Sequence, residues 1–75
     1  MFHGIYLRSN PRHTWYLVSV VKSAELATQD REAFLQEAMK NGHQQAETAI
    51  QTFETSWLIP ETLKEIKEDS KQLYN

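Results

Sequence analysis

The chain has 75 residues, a net charge of −2 and no cysteine. That length allows one small domain with a marginal core, and the missing cysteine excludes disulfides, thiolate metal sites and thiol catalysis together. No stretch approaches the roughly 20 apolar residues that a membrane span needs, so no membrane partner is expected.

Residues 2–8 read as a strand, with Ile5 and Leu7 on one face and Tyr6 and Arg8 on the other, because side chains alternate across a strand. Ser9-Asn10-Pro11-Arg12-His13 follows. Asn-Pro starts turns, and the fixed φ of proline suits their second position. The run Thr14 to Val21 is aromatic and β-branched and apolar at nearly every residue, which fits an interior strand. Two such runs joined by a short turn predict a β-hairpin over 2–21.

A helix is expected over about 24–41. Ser23 is a suitable N-cap, and Glu25 sits at the positive end of the helix dipole. Ala24, Ala27, Phe34, Leu35, Ala38 and Met39 recur at helical spacing and form an apolar stripe. Gly42 is a natural stop, since it takes a left-handed conformation without a Cβ clash.

Residues 46–55 fit two readings. Ala46, Ala49, Ile50, Phe53 and Trp57 have helical spacing, whereas Thr48, Ile50 and Thr52 alternate like a strand. A strand is the better reading, because it completes a β-α-β crossover and gives the helix a sheet to cover. Pro60 then suits the first turn of a last helix over about 60–73, with Leu63, Ile66 and Leu73 as its apolar stripe. The expected fold is α+β: a hairpin plus a third strand, packed against one long and one C-terminal helix in the order ββαβα. The alternative is a hairpin followed by a helical bundle.

Signs of chemistry are sparse. His3, His13 and His43 lack the spacing of a metal site, although a hairpin could bring His3 near His13. No serine sits in a nucleophile motif. Two isolated glycines cannot build a phosphate loop. No catalytic residue, metal or cofactor is therefore expected. The N-terminus has neither a charged nor an apolar signal region, so the cytoplasm is the expected compartment.

Contact surfaces are easier to nominate. Trp57, Leu58 and Ile59 place three large apolar residues in a row, which is hard to bury in so small a body and would make a natural interface anchor. Charge is also split. Residues 1–22 carry +3 and residues 23–75 carry −5. Tyr6, Arg8, Arg12 and Trp15 fall in the basic part and form a second candidate surface, with the mixture of rings and cations that single-stranded nucleic acid needs. The overall acidity, with a pI near 5.8, weighs against that use. The expected function is a non-catalytic protein-interaction or regulatory module that binds a protein partner or itself as a homo-oligomer. The alternative is a nucleic-acid-binding domain using the N-terminal hairpin.

Overall fold

The computed structural model describes residues 1–66. Four strands form one antiparallel sheet: β1 (Phe2–Arg8), β2 (Trp15–Val21), β3 (Glu47–Phe53) and β4 (Thr62–Leu63). Their spatial order is β3-β1-β2-β4. Among the described residues one α-helix, α1 (Ala24–Lys40), lies between β2 and β3 in sequence. The chain is thus a mixed α+β domain.

The hairpin forms as its residues dictate. Asn10 closes the turn twice: its carbonyl accepts from the His13 amide at 3.0 Å, and its side-chain oxygen accepts from the Arg12 amide at 2.8 Å. Pro11 sits between, where its missing N–H costs nothing. β1 and β2 pair from His3 opposite Val21 to Leu7 opposite Tyr16, with one irregularity. Ile5 faces Ser19 and Tyr6 faces Leu17, so Val18 is an extra residue on β2. Such a bulge bends the strand and sharpens its twist.

The helix begins where Ser23 Oγ accepts from the Leu26 amide at 3.3 Å. It ends in paired bonds from the Gly42 amide to the Met39 carbonyl and from the His43 amide to the Ala38 carbonyl, both at 3.0 Å. Gly42 has φ +96°, so the stop requires a residue without a Cβ. Ala27 and Ala38 are the helix's buried residues, and their small side chains let its axis approach the sheet. Phe34, Leu35 and Met39 are half-buried. Ser19 Oγ donates to Asp30 Oδ2 at 3.1 Å, tying β2 to the helix.

Residues 47–53 are a strand, and β3 pairs β1 in continuous register from Phe2 opposite Phe53 to Arg8 opposite Glu47. β2 and β3 run in the same direction with β1 between them, so the crossover spans a strand rather than joining neighbours. Neighbouring strands stand about 4.8 Å apart, so a helix roughly 10 Å wide covers that gap.

The C-terminal helix expected over about 60–73 is not what residues 60–66 form. Thr62 and Leu63 pair with Tyr16 and Trp15 as β4. The reason lies in the hydrogen bonds. A helix opened by Pro60 needs the carbonyls of its first turn for its own amides, but the Pro60 carbonyl accepts from the Tyr6 hydroxyl at 2.7 Å. The Glu61 carbonyl accepts from the Leu17 amide at 2.8 Å. The open side of β2 has captured this segment. The rest of the expected helix, 67–73, lies outside the described residues.

Register defines the two faces of the sheet. Ser19 contacts the helix, so its partner Ile5, and Ile50 opposite Ile5 on β3, share the helix-covered face. Gly4, Tyr6 and Arg8 point the other way, and residues 54–63 cross over that side. Ile5 and Tyr6, one for each face, are fully buried.

Candidate functional site

The junction between β3 and β4 separates the three large residues that the sequence places in a row. Thr55 leads into a single 3-10 turn, Ser56–Leu58, in which the Leu58 amide donates to the Thr55 carbonyl and the Ile59 amide to the Ser56 carbonyl, both at 3.3 Å. So tight a turn sends successive side chains in different directions. Ile59 turns inward onto β1. A Cβ built on Gly4 would stand 3.5 Å from Ile59 Cγ2 and 3.1 Å from Leu17 Cδ1, so Gly4 is the slot that Ile59 occupies. Trp57 and Leu58 turn outward and are 80% and 59% exposed. Glu54 and Glu61 flank them and are exposed. Val20, opposite Gly4 on the same sheet face, is 42% exposed.

The second group of candidates is brought together but mostly hidden. Tyr6 is fully buried and Trp15 nearly so. Base stacking needs an open ring face, and neither ring offers one here. An interior strand pair with a covered face buries both rings, so these two second-surface candidates lie within the sheet. Arg8 is committed to the fold. Its Nε donates to Glu47 Oε1 at 2.6 Å, a second guanidinium nitrogen pairs with the same oxygen, and the third donates to the Pro11 carbonyl at 3.0 Å. Its guanidinium carbon sits 4.3 Å from the centre of the Trp15 ring, an arrangement that adds cation–π attraction. Of the four residues, only Arg12 is freely exposed.

Tyr6 is the perturbed ionisable group. Burial disfavours its phenolate and pushes its pKa up to about 12. A neutral hydroxyl that donates to a carbonyl is a structural bond, and its proton is not poised for acid–base work near neutral pH.

The histidines do not converge. His3 pairs with Val21 at one end of the hairpin, while His13 lies in the turn at the other. The hairpin thus holds them apart. His3 Nδ1 bonds Thr52 Oγ1 and His13 Nδ1 bonds Ser9 Oγ, each at 3.0 Å. Among the described residues, no three of His, Asp and Glu are grouped to hold a metal ion. Nor is any helix there long and apolar enough to cross a membrane.

Sequence reasoning missed the strap-like course of residues 54–63 and its bond to Tyr6. One signal was present: a glycine inside a strand often marks close approach by another backbone or side chain, and Gly4 is such a glycine. No family model, curated protein or solved structure matches the chain.

Proposed function

We propose that the chain is a non-catalytic protein-interaction module that grips a partner through Trp57 and Leu58. The supporting observation is the placement of Trp57, 80% exposed on a hydrogen-bonded turn whose next residue but one is anchored in the sheet. A hydrogen-bonded turn limits the backbone entropy lost on binding, which favours an anchor role. A tryptophan and a leucine alone fall short of the roughly 800 Å² per partner of a stable interface. Val20 and the flanking Glu54 and Glu61 would extend the surface, and these carboxylates favour a partner with a basic rim around an apolar pocket. The cytoplasm is the proposed setting. A second copy of the chain is the alternative partner for the same surface.

The test is native mass measurement of the protein captured from its own cells at low salt, beside the Trp57→Ala variant. A complex with another protein, weakened about thirtyfold or more in the variant, is expected of an interface anchor. A complex containing only copies of this chain, equally sensitive, assigns the same surface to self-association. A complex indifferent to Trp57, or one holding nucleic acid instead, overturns the proposal.

A further inference from the structure

Residues 54–63 are seated on the sheet by separable contacts. The Tyr6 hydroxyl donates to the Pro60 carbonyl, and the Leu17 amide donates to the Glu61 carbonyl. β4 contributes only Thr62 and Leu63 to the sheet. Ile59 rests against the bare backbone of Gly4. The bonds of the 3-10 turn, by contrast, lie within the segment and survive if it moves. At its root, Thr55 Oγ1 is buried without a hydrogen-bond partner. The seated position therefore carries a desolvation cost that water relieves on release.

We propose that residues 54–63 form a strap that lifts from the sheet as a unit, latched by the Tyr6 hydroxyl on the Pro60 carbonyl, and that lifting uncovers the Tyr6 ring. Lifting breaks the contacts to Tyr6, Leu17, Gly4, Trp15 and Tyr16 and leaves the helix and the β3-β1-β2 ladder with their own hydrogen bonds. It frees Leu63 from Trp15, so the aromatic face beside Arg8 is a surface the seated strap hides. The device belongs to the chain by itself and stands whether or not Trp57 binds a partner.

Amide hydrogen exchange on the full chain tests it, because partial openings are visible there below global unfolding. The Leu17 amide is expected to exchange through an opening with weaker denaturant dependence than the slowest amides of β1. Tyr6→Phe is expected to speed Leu17 exchange about five- to tenfold, the worth of one hydrogen bond. A lock is also available, since Tyr16 and Thr62 are partners across β2 and β4 in a cysteine-free chain. In the Tyr16→Cys/Thr62→Cys variant, oxidation is expected to slow Leu17 to the rate of the slowest β1 amides, and reduction to restore it. The proposal is overturned if Leu17 in the unaltered protein already exchanges with the rate and denaturant dependence of those amides. It is equally overturned if the oxidised lock leaves Leu17 exchange fast.

Discussion

On one face of the sheet lies a 17-residue helix capped at both ends; on the other lies the strap of residues 54–63. The helix satisfies its backbone internally and meets the sheet through side chains, its apolar stripe and the Ser19–Asp30 bond. The strap does the reverse. Its 3-10 turn is one turn long, and its remaining backbone bonds are borrowed from β2 and from the Tyr6 hydroxyl, 54 residues away in sequence. One cover is autonomous local structure, and the other exists only once the sheet has formed. The two faces should therefore respond differently to substitution.

The largest effect is expected beneath the helix. Ile5 is fully buried there, and Ile5→Ala should cost about 2–5 kcal/mol through lost transfer energy and the cavity left behind. Domain stabilities begin at about 5 kcal/mol, so this variant should sit at the edge of folding, as a urea midpoint would report. A loss below about 1 kcal/mol would mean that the helix covers this face only loosely.

Beneath the strap the expected loss is smaller and carries a pH signature. Tyr6→Phe keeps the ring and removes the hydroxyl, so the cost should be about 1 kcal/mol. The phenol is held near pKa 12 in the fold and near 10 when unfolded. A raised pKa contributes stability that is fully present below pH about 10 and lost as pH rises towards about 12. Denaturation midpoints should fall across that window in the unaltered protein and fall less in Tyr6→Phe. Equal slopes would show that Tyr6 is not the group responsible.

The same contrast decides what could be read from the residues. The hairpin, the turn at Asn10–Pro11, the Ser23 cap and the Gly42 stop are local, and each follows from side-chain chemistry within a few positions. Residues 60–66 are not legible locally, because Pro60, Glu61 and the spacing of Leu63 and Ile66 fit a helix start equally well. The deciding bonds come from Tyr6 and Leu17, which local spacing does not register. The surfaces divide in the same manner. Trp57 and Leu58 are exposed, as a row of large residues at a junction suggests, whereas Tyr6 and Trp15 are hidden by the strap and by Arg8. The +3 charge of residues 1–22 is partly spent in the fold, since Arg8 pairs with Glu47 from the acidic part of the chain.

At the helix start, Ser23→Ala should cost about 0.5–1 kcal/mol, near the low end for an N-cap. The bond to the Leu26 amide is long at 3.3 Å, and the cap is exposed to water. The loss should appear as increased exchange of the first-turn amides, with the strap unchanged. Acceleration at Leu17 as large as that at Leu26 would mean that the two covers open together, and that the helix is less independent than its capping implies.

The smallest effect on stability is expected where the largest side chain sits. Trp57 contributes little to the interior, so Trp57→Ala should change stability by no more than about 0.5 kcal/mol. Trp15 and Trp57 report separately in fluorescence, because one is 6% exposed and the other 80%. Removing Trp57 should abolish the component readily quenched by acrylamide and leave a shielded one from Trp15. A clear loss of stability would show that the indole folds back onto the sheet in solution and belongs to the strap's seating. A neutral result leaves a bulky apolar group, on a turn whose Ile59 is seated against Gly4, whose exposure the stability of the fold does not explain. That is the physical ground for assigning it to a partner.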